Sequence, residues 1–569
     1  MGLQLIKTNY FYPNRRGDGY DKVLLVTKNE QGEKDFVVVN KPVLEYHISN
    51  EKAIPGLEYR SIPADLTYKY KCYYKDLYQS MVHELNDPEV TDYYNSIINS
   101  PNKQGMRKAL NKLHLDYRFH GTDVQIEDYY IGKFLDKHPP EQNSYKLTKF
   151  FYDIEVDGST IVGFPEAEQA ACCVNIISAC IDMGDYIQFY MFCLNYEESE
   201  NPSYVEFMSN LKENVTPIKE EMMGKANKEV RIAIKRFRNE INLIKAFFNT
   251  INDVRPDYVM GWNTARFDFP YLYNRLGILL VNEGETIEEV MCPKEFPYKS
   301  ANYRIDYDHP DAPDNNSTMN VASYSVHIDQ QNLYGNLRKA KGKLESYSLD
   351  AIAELELGEH KKELTTNIKT QHFDDYLNFF KYSAQDTLLL YLLEEKNKDI
   401  EMLNAVSTIT RTRVEHCLKK TVCLRNLAAK FYLNDNRIIS NNRSALKHKD
   451  GKPRGAFVAN MTQIEKMGMK LFEDAELSQF VFEEVCDLDL SSLYPSEIIA
   501  LNLAPETFIK KLNIELFNEI TMEWESCQDV FVDEYIAKDY VYMGEKYCNL
   551  PSMAELSELA LEEELSLVA

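Results

Sequence analysis

One stretch of the chain, Lys149–Gly158, combines the pattern of a buried β-strand with two acidic side chains. Aromatic and β-branched residues run into a Gly-Ser pair, which commonly ends a strand. Asp153 and Glu155 are two positions apart, so the period-two geometry of a strand places both on one face. Two such charges are costly to bury unless a cation lies between them, and hard divalent ions prefer oxygen ligands. The stretch therefore indicates a metal site, and the alternative is a carboxylate pair facing water at a sheet edge.

The surrounding region, residues 146–395, alternates between strand and helix patterns, which predicts an α/β domain built around this strand. The elements expected after it, in chain order, are strands at Ala171–Ile181 and Tyr186–Leu194, a charged helical stretch at Asn210–Asn252, a strand at Asp257–Asn263, and helices at Phe267–Leu272 and Thr387–Leu393. The polar, proline-containing segment His309–Asn320 is expected at the tip of a hairpin.

The remaining chain predicts further domains, because 569 residues suffice for about three or four. Residues 1–145 predict a small mixed α/β accessory domain that includes a hairpin at residues 22–39. Residues 396–454 predict a helical and basic connector. In residues 455–569 the strand pattern returns, with a strand at Val481–Asp489 and a helix that begins near Glu497. The expected fold class is therefore α/β and multidomain.

The composition of the chain limits which partners and which cellular setting are expected. A net charge of −25 argues against a surface that binds nucleic acid everywhere. Basic runs such as Arg437–Arg454 could still form local grooves for nucleic acid, and the alternative is that they are solvated helix faces or loops. No run of about 18 apolar residues indicates a membrane span. The 11 cysteines are scattered without zinc-like spacing, so we expect a reducing, cytoplasmic setting, the host cytoplasm for a viral protein.

Two further carboxylates occur in settings that suit the metal hypothesis. Asp268 follows a predicted strand and turn, and Asp386 lies at a predicted helix start, four residues after Tyr382 and on the same helical face. Two Mg²⁺ ions about 3.5–4 Å apart need this many oxygen ligands to polarise a phosphodiester. Each carboxylate alone is equally typical of a helix cap.

Three ordered motifs carry a specific resemblance. D-I-E at 153–155, N-x-x-x-F-D at 263–268 and Y-x-x-x-D at 382–386 resemble the motifs of the 3′→5′ proofreading exonuclease in family B DNA polymerases. D-L-x-S-L-Y-P-S at 489–496 resembles the first polymerase motif of that family, and Gly455–Val458 resembles its template-contacting element. The likeness is greatest to replicative polymerases of large tailed bacteriophages. It implies a ribonuclease H-like exonuclease domain and the start of a polymerase palm at 455–569.

The resemblance also implies roles for individual residues. The implied exonuclease metal ligands are Asp153, Glu155, Asp268 and Asp386, with Tyr382 as a catalytic residue that positions water. The implied polymerase residues are Asp489 as a catalytic metal ligand, the Leu490 carbonyl as a further ligand, and Leu490, Ser492, Leu493 and Tyr494 as nucleotide-binding residues. The implied DNA-binding residues are Asn263, Phe267, Arg454, Gly455 and Ala456. Each active site would hold two Mg²⁺ ions, with Mn²⁺ as a substitute.

The sequence also departs from the family. The Lys-x-x-x-Asn-Ser-x-Tyr-Gly helix and the Tyr-x-Asp-Thr-Asp strand do not occur after Asp489, and one carboxylate cannot assemble a two-metal polymerase site. We therefore expect the N-terminal part of a split polymerase, completed by a second chain that carries the remaining palm, fingers and thumb. The implied partners are a DNA primer-template, deoxynucleoside triphosphates and a sliding clamp, and no membrane. The alternatives are a stand-alone exonuclease with a palm remnant, and a non-catalytic DNA-binding or regulatory module.

Overall fold

The computed structural model of the chain divides into two compact units. The residues that it describes are 2–12, 19–49, 61–100, 105–139, 145–310, 312–361, 367, 369–441, 493–500, 508–518, 523–535, 540–542 and 545–547. The first unit comprises residues 1–44, 73–76 and 124–430, and the second comprises residues 45–72, 77–123 and 431–569. The candidate site lies in the first unit.

The strands, in chain order, are β1 (Gln4–Phe11), β2 (Lys22–Lys28), β3 (Lys34–Asn40), β4 (Val43–Ser49), β5 (Ile62–Pro63), β6 (Thr67–Tyr73), β7 (Phe119–His120), β8 (Lys149–Val156), β9 (Val174–Asp182), β10 (Tyr186–Leu194), β11 (Glu229–Phe237), β12 (Tyr258–Gly261), β13 (Ala301–Arg304), β14 (Thr318–Val321), β15 (Val326–Asp329), β16 (Arg437–Ile438), β17 (Phe508–Asn518), β18 (Glu523–Tyr535), β19 (Tyr540–Tyr542) and β20 (Glu545–Tyr547).

The α-helices are α1 (Leu77–Leu85), α2 (Pro88–Ile98), α3 (Met106–Leu110), α4 (Ile126–Lys137), α5 (Pro202–Ser209), α6 (Leu211–Ala226), α7 (Glu240–Val254), α8 (Asp268–Leu279), α9 (Ile287–Met291), α10 (Gln330–Leu337), α11 (Leu349–Leu357), α12 (Gln371–Asp374), α13 (Tyr376–Asn397), α14 (Asp399–Thr410), α15 (Lys420–Asn434) and α16 (Leu493–Ala500). None of the helices that the structure describes is both long and apolar enough to cross a membrane.

A six-stranded mixed sheet, in the order β11-β10-β9-β8-β12-β15, forms the centre of the first unit. β8 lies inside it, antiparallel to β9 and parallel to β12, and β12 is parallel to β15. A strand covered on both faces needs apolar residues at nearly every position, which explains the unbroken aromatic run that opens β8. The sequence predicted this strand, and the structure confirms it.

The two faces of β8 meet different helices. Phe150, Tyr152 and Ile154 belong to the apolar cluster that includes α7 and α8, and Tyr152 packs 5.1 Å from the Phe247 ring. Phe151 belongs to the cluster on the opposite face, 6.1 Å from the ring of Tyr391 on α13. The period-two geometry therefore places the other odd-numbered side chains of β8 on the α13 side.

Most elements predicted from hydrophobic patterns are confirmed. The predicted hairpin is formed by β2 and β3, which pair antiparallel. The predicted strands at 171–181, 186–194 and 257–263 correspond to β9, β10 and β12. β13 and β14 pair antiparallel on either side of the polar excursion, so its assignment to a hairpin is also confirmed for the described residues.

The prediction of one charged helical stretch at Asn210–Asn252 is wrong. α6 ends at Ala226, β11 follows, and α7 begins at Glu240. β11 is an edge strand parallel to β10, and its charged residues alternate with Val230, Ile232 and Ile234. Charged side chains suit a sheet edge, where they discourage pairing with another chain. The alternation, rather than the charge, was the informative feature.

The predicted placement of Asp386 at a helix start is also wrong. α13 begins at Tyr376, where the Asp375 carboxylate accepts a hydrogen bond from the Asn378 N–H at 3.1 Å, and Asp386 lies near the middle of the helix. Asp386 is therefore not a cap. The expected helix near Glu497 is present as α16, which begins earlier, at Leu493. The predicted strand at Val481–Asp489 lies outside the described residues, and the predicted domain boundaries stay predictions.

We predict that Asp257→Ala destabilises the first unit by about 3–5 kcal/mol, because it would leave two buried ammonium groups unpaired. Lys28 Nζ and Lys34 Nζ each lie 2.8 Å from the fully buried Asp257 carboxylate, which also accepts from the Thr148 N–H. Urea unfolding followed by circular dichroism measures the loss. Asp253→Ala, at an exposed position of α7, is the control, and equal unfolding midpoints of the two variants would contradict the prediction.

Candidate metal centre

Three acidic side chains from two distant elements converge on one face of the central sheet. Asp153 and Glu155 come from β8, and Asp386 comes from α13. Each offers a carboxylate oxygen, and these three oxygens lie within 4.8 Å of one another. Asp386 is buried, whereas the other two remain partly exposed. The prediction that Asp153 and Glu155 share a face is confirmed.

Asp268 is held beside the same strand. It is the first residue of α8, it is only 3% exposed, and its Oδ1 accepts a hydrogen bond from the Ile154 N–H at 3.3 Å. The carboxylate thus contacts β8 between its two acidic residues. It does not belong to the group of three oxygens within 4.8 Å.

The tight turn between β12 and α8 determines where Asp268 lies. A Cβ atom on Gly261 would come within 2.9 Å of the Tyr152 carbonyl oxygen, so only glycine permits this approach to β8. Asn263 adopts a left-handed φ of 57°, which asparagine tolerates better than most residues. The Asp329 carboxylate accepts a hydrogen bond from the Ala265 N–H at 2.9 Å and so fixes the turn. The glycine and asparagine of the Gly-Trp-Asn sequence thus have conformational roles here.

Crowding and burial disfavour ionisation of these acids. Burial, followed by the Asp386 charge, raises the pKa of Asp153 to about 7. Burial and the neighbouring carboxylates also raise the pKa values of Glu155 and Asp268 well above their ordinary range. Burial raises the pKa of Asp386, against the opposing effect of Lys361. When a cation replaces the shared protons, the free energy of carboxylates held in this way falls.

Lys361 is a member of this site that the sequence reasoning missed. Its Nζ lies 2.5 Å from Asp386 Oδ2 and donates a hydrogen bond to the Tyr382 hydroxyl at 3.2 Å. Burial opposes its charge, but Asp386 and Tyr382 raise the pKa of the ammonium above its ordinary value. The only local signal in the sequence was a basic pair at 361–362 within an acidic region.

Tyr382 lies one turn before Asp386 on α13, as its spacing predicted. Burial and then the Asp386 charge raise the pKa of its phenol, so the hydroxyl keeps its proton and can donate it in a hydrogen bond. Tyr382 therefore provides a neutral donor beside the carboxylates.

The residues present fit a hard divalent cation. Asp386 Oδ1 is buried and has no hydrogen-bond partner in the described part of the chain, so it is available as a ligand. Four carboxylates and one ammonium give a net charge of −3 when all are ionised, and this charge favours the binding of cations. The donor set consists of oxygens, as Mg²⁺ and Mn²⁺ prefer.

An aromatic surface adjoins the Asp268 turn. The ring of Phe267, the residue before Asp268, lies 6.3 Å from the ring of Phe164, which is 71% exposed. Phe164 belongs to the loop that follows β8. Two contacts hold this loop. Lys369 Nζ donates a hydrogen bond to the Ile161 carbonyl at 2.9 Å, and Nε2 of the buried His372 lies 3.5 Å from Asp157 Oδ1. Two rings therefore lie at the turn that leads into Asp268.

The predicted site residues between 454 and 494 belong to the second unit, which the structure describes only in part. Asp489, Leu490, Ser492, Arg454, Gly455 and Ala456 lie outside the described residues, and Leu493 and Tyr494 begin α16. Their predicted roles stay predictions, as do the DNA-binding roles of Asn263 and Phe267.

Comparisons with known proteins identify relatives of this region. Residues 120–352 match the model of the exonuclease domain of DNA polymerase family B. The DNA-directed DNA polymerase of Escherichia phage RB69 is 24% identical over 390 residues, which cover 67% of this chain and 38% of the relative. The DNA polymerase delta catalytic subunit of Schizosaccharomyces pombe is 22% identical over 54% of this chain and 26% of its own length.

A viral relative shows the same partial coverage. The DNA polymerase catalytic subunit of Alcelaphine herpesvirus 1 is 22% identical over 51% of this chain and 26% of the relative. The match thus spans about a quarter to two fifths of these three proteins. Residues 120–352 therefore belong to the exonuclease-domain family of family B DNA polymerases, and the chain is a relative of phage, viral and eukaryotic polymerases.

Proposed function

We propose that this chain removes nucleotides from the 3′ end of DNA with the help of two divalent metal ions, Mg²⁺ or Mn²⁺. The observation that carries the proposal is the meeting of Asp153, Glu155 and Asp386 oxygens within 4.8 Å, with Asp268 hydrogen-bonded to the same strand. The order and directions of the central strands support a ribonuclease H-like topology for this domain. A non-catalytic module would have no need to hold these acids together at the cost of their repulsion.

The proposed roles follow from the contacts. Metal ions held by the four carboxylates would polarise the scissile phosphodiester and lower the pKa of the attacking water. Asp386 presents its unpartnered Oδ1 to a cation, while Lys361 binds the opposite oxygen and keeps the carboxylate oriented. Tyr382 donates its hydroxyl proton in a hydrogen bond and thereby orients the attacking water. The Phe164 and Phe267 rings stack on unpaired bases at the strand end.

We further propose that these residues form part of a replicative DNA polymerase with a proofreading exonuclease. The polymerase-like motif at 489–496 and the family of the exonuclease domain support this proposal. Synthesis would require the second acidic strand and the fingers lysine from polypeptide other than these 569 residues, and a second chain that carries the remaining palm, fingers and thumb would supply them. The substrates would then be a primer-template and deoxynucleoside triphosphates, with a sliding clamp as a further partner.

Asp153→Ala is expected to slow the digestion of 3′-labelled single-stranded DNA about 10³-fold or more, because it removes a ligand on which the transition state depends. Binding of the same strand, measured by fluorescence anisotropy, should change little. Asp185→Ala, on the exposed turn between β9 and β10, is the control and should digest DNA like the unsubstituted chain. Absence of digestion by the unsubstituted chain with Mg²⁺ would contradict the proposal and favour the binding module.

Lys361→Met should reduce the maximal digestion rate about 10²-fold with little change in KM, since the lysine orients Asp386 and Tyr382 rather than the bulk of the strand. Lys361→Arg should recover part of the rate, because it restores the positive charge beside Asp386. Lys339→Met, at an exposed lysine that pairs with Asp314, is the matched control. A change in KM alone would assign Lys361 to strand binding instead.

Mg²⁺ should raise the thermal unfolding temperature more at pH 8 than at pH 6. Because burial and Asp386 raise the pKa of Asp153 to about 7, protons compete with the cation below that pH. A carboxyl group with a raised pKa binds its proton more tightly in the folded state, so the metal-free domain loses stability as the pH rises toward 7. Differential scanning fluorimetry with EDTA or Mg²⁺ measures both trends. Equal Mg²⁺ shifts at the two pH values would contradict this prediction.

Primer extension distinguishes the partial polymerase from a complete one. The chain alone should shorten a primer from its 3′ end and should not extend it on a template, because the acidic partner of Asp489 is absent from its sequence. Restored extension on addition of a chain with the remaining palm, fingers and thumb would support the split polymerase, and no effect would support the stand-alone exonuclease. Template-directed extension by these residues alone would refute the assignment.

A further inference from the structure

The central six-stranded sheet has an open edge at β11, three strands away from β8. At about 4.8 Å per strand, this edge lies about 14 Å from the strand that carries two of the converging carboxylates. β11 is nine residues long and pairs with β10 along its whole length. Its other side pairs with no strand in the described part of the chain. An edge of this length is a template on which a further strand can form.

The backbone groups that face the open edge belong to alternate residues of β11. The Phe237 carbonyl accepts a hydrogen bond from the Asn195 N–H, next to β10, at 2.7 Å. The N–H and C=O of one strand residue point to the same side, and the side changes at each residue, so the odd-numbered residues of β11 face β10. The residues that face the open edge are therefore the even-numbered ones, Val230, Ile232, Ile234 and Arg236.

Side chains on both faces of β11 could contact an added strand. Ile232 and Ile234 pack on the apolar cluster that includes α6 and stay partly exposed. On the opposite face, Lys235 Nζ donates a hydrogen bond to Thr250 Oγ1 of α7 at 3.0 Å, and Arg231 is exposed. One face of the edge is thus apolar and the other is basic. A complementary strand would alternate apolar and acidic side chains.

The charges of this edge select the sign of the partner. Residues 229–238 contain five charged residues, and four of them are basic, whereas the whole chain has a net charge of −25. The acidic one, Glu229, pairs with Arg231 at 2.8 Å. A second copy of β11 would place like charges opposite one another, which destabilises a strand pair. An acidic strand would instead place opposite charges across the new ladder.

Two observations favour a peptide over a nucleic acid at this surface. The Arg231 guanidinium lies 3.7 Å from the centre of the Tyr186 ring, and Lys235 Nζ lies 5.2 Å from the centre of the Tyr190 ring. Cations thus already cover rings on which bases would have to stack. The outward N–H and C=O groups of β11 also form a repeating pattern that matches a peptide backbone and not a sugar-phosphate backbone.

We propose that β11 is a docking strand for an acidic, extended peptide segment of another protein, which adds to the sheet as a seventh strand. Its backbone bonds to the outward groups of Ile232 and Ile234, and its acidic side chains face Arg231 and Lys235. The surface is separate from the carboxylates that would cut DNA. Binding can therefore be measured without reference to digestion, and the proposal does not depend on the proposed function.

Fluorescence anisotropy of a labelled nine-residue peptide with alternating glutamate and valine, titrated with the full chain, tests the proposal. We expect saturable binding at one site per chain, at least about tenfold tighter than for a peptide with alternating lysine and valine. Two further acidic peptides carry N-methyl groups on all valines or on all glutamates. Because only one of these sets faces β11 in an added strand, one methylated peptide should bind at least about tenfold more weakly than the other.

Variants of the chain locate the binding to β11. Ile232→Pro removes an outward N–H without breaking a bond to β10, so it should weaken binding of the acidic peptide at least about tenfold. Arg231→Glu should weaken the acidic peptide and strengthen the lysine-containing one. Lys339→Glu, at an exposed lysine that pairs with Asp314, is the matched control and should bind as the unsubstituted chain does. Unfolding temperatures establish that the variants are folded, and Arg231→Glu carries the test if Ile232→Pro does not fold.

Hydrogen exchange measured by mass spectrometry gives an independent readout. The acidic peptide should slow amide exchange within residues 229–237, because their outward N–H groups become hydrogen-bonded. Absence of saturable binding, or equal binding by the two methylated peptides, would overturn the proposal. Displacement of the peptide by a short oligothymidylate that binds Arg231→Glu less tightly would also overturn it and assign the surface to nucleic acid.

Discussion

The fold around the candidate site must overcome the repulsion among its acidic side chains. Asp153, Glu155 and Asp386 place oxygens within 4.8 Å of one another, and burial raises the pKa of each carboxyl group. Such an arrangement persists only where rigid elements hold each of these side chains in place. β8 supplies two of the acids from the interior of a six-stranded sheet, and α13 supplies the third from the middle of a buried helix. The metal-free centre is therefore a source of instability that a cation would relieve.

Lys361 shows how the chain balances part of this charge without a metal. Its ammonium pairs with one oxygen of Asp386 and leaves the other unpartnered. The carboxylate is thus partly neutralised and still able to bind a cation. A second ammonium at the same place would saturate the ligand, and no ammonium would leave three acids to repel one another. Lys361 therefore offsets part of the negative charge and leaves one Asp386 oxygen available to a cation.

Sequence reasoning predicted the parts of the site that depend on spacing. The period of a strand placed Asp153 and Glu155 on one face, and the period of a helix placed Tyr382 beside Asp386. It missed β11, because the many charged residues of this edge strand were given more weight than their alternation with apolar ones. It missed Lys361, because a contact between residues 25 positions apart on a loop and a helix leaves no periodic signal in the sequence. Spacing predicted local geometry, whereas the association of Asp386 with Asp153 and Glu155 was predicted only through the family resemblance.

The net charge of −25 is an apparent obstacle to the proposed action on DNA, which is itself a polyanion. The described site suggests how it is overcome. Bound divalent ions and Lys361 would reverse the sign of the potential at the carboxylates, where the scissile phosphate must lie. In the proposed function, the Phe164 and Phe267 rings would contact bases rather than phosphates, and such stacking depends little on the charge of the surface. A strand end with unstacked bases would gain more from these rings than a paired end would, so the proposed surface would favour frayed ends despite the acidic charge.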